Sequence, residues 1–241
     1  MRTVVQHTKM RLPLILIIIF LSYQNSLSQD TNKREIRFPI WTFHENNVAI
    51  YGISVGAFSG YDSTQNTVSN GLRIEIPGVG ALPGILMGNS SPLRDGDTIT
   101  KGIKRKDFVF SEIINGINIS TGSWGKMNYN GLTISLVAQH GYLTNGIAIS
   151  GLINSTNKVN GISIGGVILN EALHHNGLQI GLLGNSSIIM FGVQIGVQNE
   201  AKTLEGLQVG LFNRTYKSKG LQLGLWNINE HRKLPLINWS F

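Results

Sequence analysis

The constraint that most limits this chain is a short word repeated at a nearly fixed interval. It reads glycine, aliphatic, small or polar, aliphatic, glycine or serine, aliphatic. The plainest copies are Gly206-Leu207-Gln208-Val209-Gly210-Leu211-Phe212-Asn213 and Gly220-Leu221-Gln222-Leu223-Gly224-Leu225-Trp226-Asn227. The first glycines of successive copies fall at 116, 131, 146, 161, 177, 192, 206 and 220, so the spacing is 14 to 16 residues throughout. A period this short leaves room for one strand and its corners per copy, and therefore for an all-β repeat architecture. One copy by itself cannot offset the entropy of ordering it, so the copies must stack and share an interior, with closed ends.

Alternation along the word gives the two-residue period of a strand. One side carries Leu207, Val209 and Leu211 and their equivalents, such as Leu132, Ile134 and Leu136 or Leu178, Ile180 and Leu182. The other side carries Asn118, Thr133, Ala148, Ser163, Gln179, Gln194, Gln208 and Gln222, followed two residues on by serine or glycine. Asparagine precedes the first glycine at 115, 130, 145, 160 and 176 and follows the strand at 154, 170, 185, 199, 213 and 227. These mark two corners, since Asn and Gly tolerate positive φ.

Two architectures can use such a strand. In a parallel β-solenoid each copy is one coil, and the aliphatic side is expected to point inward. In an antiparallel outer-membrane β-barrel each copy is a strand plus a turn, with the aliphatic side toward lipid. Uniform spacing favours the solenoid, because barrels alternate short turns with long loops. So does an apolar residue at or near two positions before the next glycine (Tyr129, Val159, Leu204, with Leu143 nearby), which a surface turn does not need. In-register Gln and Asn favour it as well, because a parallel stack lets amides bond to one another in ladders. The ending Ile237-Asn238-Trp239-Ser240-Phe241 has the look of a barrel's closing strand. Pro235 argues against that, and a hairpin of Leu221–Trp226 with Leu234–Trp239 across residues 229–233 accounts for the ending equally well.

The organisation expected is a signal peptide over residues 1–28, an irregular β segment with degenerate copies over 29–110, the repeat array over 111–227, and a cap or closing strand over 228–241. Residues 1–28 have Arg2, Lys9 and Arg11 ahead of an apolar run from Leu12 to Leu21, then Ser26-Leu27-Ser28 as a cleavage site. The run falls short of the ~20 residues a spanning helix needs. Without those three basic residues the chain has 17 basic and 13 acidic side chains, +4. That mild, scattered charge does not suit a nucleic-acid surface, and the one dense cluster, Lys101 to Lys106, reads as a solvated loop. The absence of cysteine leaves an exported chain to rely on packing and backbone pairing alone. Within 29–110, Ile36 to Phe43 reads as an edge strand because Pro39 interrupts it. Gly52–Phe58 and Asn70–Ile76 are early copies, the latter with Arg73 and Glu75 in the polar slots. Ser90 to Thr98 reads as a loop.

Several motifs tempt toward chemistry. Gly52-Ile53-Ser54-Val55-Gly56 and Gly161-Ile162-Ser163-Ile164-Gly165 both spell G-x-S-x-G, but here the serine merely fills the slot that Gln or Ala fills elsewhere, and no strand–turn–helix follows. Gly78 to Gly84 lacks phosphate-loop spacing. His174 and His175 are adjacent in a connecting segment, where neighbouring residues point apart, and His7, His44, His140 and His231 complete no ligand set. Asp95 and Asp97 lack the rest of a calcium loop, and no carboxylate pair suggests glycosidase work. No catalytic, cofactor or metal residue is therefore assigned, and the expectation is a non-enzymatic protein.

The word G-L-Q-[IVL]-G-L-x-N behind a signal peptide, ending in Arg232-Lys233-Leu234-Pro235-Leu236-Ile237-Asn238-Trp239, resembles a family of uncharacterised bacterial surface-repeat proteins. The likeness covers residues 116–241 well and 48–88 weakly. It implies an exported protein at a Gram-negative cell envelope or surface and brings no catalytic residues. A looser likeness to the 14-residue coils of trimeric adhesin heads implies a binding surface. The reading is a structural or adhesive envelope protein whose partner is unknown, an envelope or extracellular component being one candidate and membrane association staying open. A small barrel acting as pore or scaffold is the alternative, and a polysaccharide hydrolase on a repeat scaffold a third reading.

Overall fold

The computed structural model describes residues 34–59, 65–81 and 110–240. The expected leader, the loop at 90–98, Asp95, Asp97 and the basic cluster at 101–106 lie outside them. The strands are β1 (Glu35–Arg37), β2 (Ile40–Thr42), β3 (Val48–Gly56), β4 (Thr67–Glu75), β5 (Glu112–Ser120), β6 (Ser123–Trp124) and β7 (Met127–Ser135). They continue as β8 (Ala138–Ser150), β9 (Ile153–Gly165), β10 (Leu169–Gly181), β11 (Gly184–Ile195), β12 (Gln198–Val209), β13 (Phe212–Ile228) and β14 (Lys233–Ser240). From β3 to β13 every pairing is parallel, and the first glycines of ten coils lie side by side, from Gly52 and Gly71 through Gly116 to Gly206 and Gly220. This is a parallel β-solenoid. The barrel alternative is overturned, because a barrel's neighbouring strands run in opposite directions and here only β14 does so.

Those ten glycines share φ values between +124° and +152°. At Gly192 a Cβ would sit 2.1 Å from the Gly177 carbonyl oxygen of the preceding coil. Position and spacing together demand glycine there, which is why the word begins as it does.

The sides of the strand are the reverse of the sequence expectation. Ser54, Arg73, Asn118, Thr133, Ala148, Ser163, Gln179, Gln194, Gln208 and Gln222 all point inward and are buried. The aliphatic stripe points out: Ile117, Ile119, Ile134, Ile147 and Ile195 are exposed, and Leu207 and Val209 are half-buried. Much of the apolar interior comes instead from the position two before six of the ten glycines, which supplies Ile50, Ile114, Tyr129, Val159, Met190 and Leu204, with Val48, Met127, Leu173 and Ala201 added from other positions. Small clusters form there, Ile114 with Met127 and Tyr129, and Met190 with Ala201 and Leu204.

A polar interior stands because its amides satisfy one another. Gln194 Nε2 donates to Gln179 Oε1 (2.8 Å), Gln208 to Gln194 (2.7 Å) and Gln222 to Gln208 (2.8 Å). The remaining hydrogens cross the interior to the opposite wall, to the carbonyls of Glu200, Arg214 and Ile228. A second ladder occupies a corner, Asn185 to Asn199 to Asn213 to Asn227. The second glycine of the word makes room for it, since a Cβ at Gly196 would lie 2.7 Å from Asn185 Nδ2. A third ladder runs along the other corner through Asn70, Asn115, Asn130, Asn145, Asn160 and Asn176. Buried amides cost free energy only when unpaired, and stacking pairs most of them, Gln139 Nε2, Asn154 Nδ2, Asn170 Oδ1 and Asn185 Oδ1 being left without a partner.

The ends are closed differently. β14 returns antiparallel along β13, with Leu221 opposite Trp239, Gln222 opposite Asn238 and Leu223 opposite Ile237. Asn238 Nδ2 donates to Gln222 Oε1, so the glutamine ladder finishes on a partner. Arg232 lies over the Trp239 ring and donates to its carbonyl. At the other end β1 and β2, three residues each on either side of Pro39, lie against β3. Short strands at one edge and Pro235 in the other discourage end-to-end sheet growth.

Candidate functional site

Three places merit weighing as sites, two inside the rod and one on its wall. The first is Ser163 with His175. Adjacent coils bring Ser163 Oγ to 2.8 Å from His175 Nε2, and Asn170 Nδ2 donates to the same oxygen. The two residues stand twelve apart in the sequence, and no motif links them. Their alliance follows from His175 standing two before Gly177, the inward slot that Tyr129 and Leu204 occupy in their coils. His174, as expected, points the other way. Ser163 and His175 both have no exposed surface, and burial pushes the His175 pKa down to about 4. The neutral imidazole is paired through Nε2 alone, Nδ1 having no hydrogen-bond partner, and in a sealed interior it mainly fills space. No substrate carbonyl can reach it, so the elbow-like spelling around Ser163 is a repeat word and not a nucleophile. Ser54, in the other G-x-S-x-G, is likewise buried.

The second is a charged cluster in the early coils. Arg73 lies fully buried between Glu112 (2.9 Å) and Glu75 (3.0 Å), donates to Asn118 Oδ1 (2.8 Å) and sits over the Phe43 ring. Ser59 and Ser123 donate to Glu75, and Ser69 donates to Glu112. Burial works against the Arg73 charge, but Glu112 and Glu75 outweigh it and hold its pKa above the ordinary arginine value. Burial also raises the Tyr129 hydroxyl pKa nearby. The two carboxylates are spent on one guanidinium, which makes the cluster an internal brace. Gly78, at the start of the glycine-rich stretch, donates to Thr121, and Gly80 packs on Gly122, so its described part closes a turn. Among the described residues no group of three or more His, Cys, Asp or Glu could hold a metal ion.

The third is the outer wall itself. Its first column reads Ile53, Leu72, Ile117, Leu132, Ile147, Ile162, Leu178, Val193, Leu207 and Leu221. The second reads Val55, Ile74, Ile119, Ile134, Ile149, Ile164, Ile180, Ile195, Val209 and Leu223. All twenty positions are aliphatic, and every one is half-buried or exposed. Trp239 and Ile237 extend the two columns onto β14. One flank is the neutral asparagine ladder. On the other flank Leu136, Leu182, Leu211 and Leu225 stand exposed. β-Propensity alone does not require this uniformity, because threonine and tyrosine also suit strands and neither occurs in the twenty. A continuous outward apolar surface of this kind is unusual on a soluble fold, and it is the candidate site on which the described residues concentrate their exposed apolar area. The pattern is visible in the sequence, where hydropathy points it to the interior, and the structure turns it outward.

Comparison of the chain with protein families, with curated proteins and with solved structures finds no match.

Proposed function

We propose that this chain is an exported, non-enzymatic repeat protein of the bacterial cell envelope that acts through its wall, in a structural or adhesive role. The observation that carries the reading is the contrast between the two sides of one strand. Twenty outward slots hold only Ile, Leu or Val, while the inward slots accept Ser, Arg, Asn, Thr, Ala and Gln. Where the interior varies and the exterior does not, the exterior is the side with a task. The leader-like residues 1–28 and the resemblance of the repeat word to bacterial surface-repeat proteins support export. The test is fractionation of Gram-negative cells producing the full chain. The expected result is a shortened chain beginning near Gln29, recovered in the envelope or outside the cell. An unprocessed chain confined to the cytoplasm would overturn the reading.

A further inference from the structure

We infer that the aliphatic wall is a self-association face, on which a second copy of this chain docks wall to wall. The inference rests on the wall being an interaction surface, as proposed above, and adds the identity of what covers it.

Size is the first argument. Ten coils at ~4.8 Å make the wall about 43 Å long, and two outward columns with their side-chain radii make it about 14 Å wide, so it covers roughly 600 Å². Two such walls in contact remove about 1,200 Å², where stable protein interfaces begin. Composition is the second. An apolar centre carrying no charge in twenty positions, widened by the exposed leucines of one flank and bordered on the other by the hydrogen-bonded amides of Asn70 through Asn176, has the apolar core and a one-sided polar rim of a homodimer interface. A wall made to lie on lipid would instead be bordered by lysine and arginine. The column continuing the rim carries Phe191, Glu205 and Lys219, which gives no net positive charge. Geometry is the third. The wall repeats itself at every coil, so its ridges fit the furrows of an identical wall. A two-fold axis lying in the plane between two rods then satisfies both copies at once. Packed sheets lie about 10 Å apart, which suits interdigitated Ile and Leu.

Full overlap under either choice of that axis sets the middle coils of one copy opposite the middle coils of the other. The experiment uses this, together with the chain's lack of cysteine. Sedimentation equilibrium of the detergent-free protein is expected to show a dimer at about 10 µM. The variant Ile149→Lys/Ile164→Lys, both outward and mid-wall, is expected to weaken association at least 100-fold, with an unchanged strand signal in circular dichroism. Should that double variant fail to fold, single cysteines keep the question open to decision. Ile149→Cys is expected to give a covalent dimer with a short bismaleimide, and Lys202→Cys, exposed beyond the wall, to give none. A wild-type monomer, or equal cross-linking at both sites, overturns the inference. A monomer that instead sediments with phosphatidylcholine vesicles, and loses this on Ile149→Lys/Ile164→Lys, also overturns it. In that outcome the wall is still an interaction surface, so the broader reading stands. Envelope fractionation reads that broader proposal independently.

Discussion

The coils from β3 to β7 and those from β10 to β13 carry the same outer wall over two different interiors. In the early coils the inward slots are filled by unlike groups: Arg73 clasped by Glu75 and Glu112, Phe43 over the guanidinium, and Asn118 donating to Thr133. In the late coils one residue type repeats, and Gln179 to Gln222 pass the same hydrogen bond from coil to coil. The first interior is a set of specific partners, each irreplaceable. The second is a queue of equals. The parallel backbone and the glycine column tolerate both, so the fold is set by the coil path, and the interior has to pair most of its polar groups rather than every one. Arg73 Nη2 and Glu112 Oε2 in the early coils and Asn185 Oδ1 in the late ones have no partner.

Exchange of fillings should break this comparison most sharply. Arg73→Gln installs the late-coil residue in the early interior and leaves Glu75 and Glu112 buried without their cation. The expected loss is about 3–5 kcal/mol in urea unfolding, the usual cost of breaking a buried ion pair on one side. A loss below about 1 kcal/mol would mean the two interiors are interchangeable. Acid should find the next weakness, at His175. Its folded pKa of about 4 lies below the ordinary 6.5, so the unfolded chain binds the extra proton between those values. This residue's part of the stability is whole above pH 6.5 and is lost as pH falls toward 4, by up to about 3 kcal/mol. His140, whose pKa burial also lowers to about 4, loses stability over the same range, so His175→Gln should remove about half of that slope, and an unaltered slope would assign it elsewhere. The smallest effect is expected inside the queue. Gln208→Leu removes one rung and leaves the facing groups of Gln194 and Gln222 without it, for about 1–3 kcal/mol. A gain in stability would show that the ladder is a passive filling.

Much of this architecture was legible because periodicity, glycine placement and amide register are local properties. The 14- to 16-residue spacing fixed the coil, and in-register Gln and Asn pointed to a parallel stack, as the three ladders show. The direction of the stripe was not legible from hydropathy, which favours aliphatic inside. Alternation defines two sides of a strand without saying which is inner. A clue lay in parity: Leu204, Gly206 and Gln208 are two apart on one strand, so an inward Leu204 carries Gln208 inward and turns Leu207 and Val209 out. The brace around Arg73 was half legible, since Arg73 and Glu75 stood in the polar slots. Glu112 joined them only through the register of β4 with β5. The Ser163–His175 contact likewise depends on register between coils.

Each ladder glutamine treats the coil before it and the coil after it alike, so no coil in that stretch is distinguished by its position in the series. Length is then a free variable. Adding or deleting a 14-residue unit between Gly192 and Gly220 changes how far the rod extends without redesigning anything inside it. Only the terminal hairpin, where Asn238 donates to the last glutamine, has to stay at the end of the line.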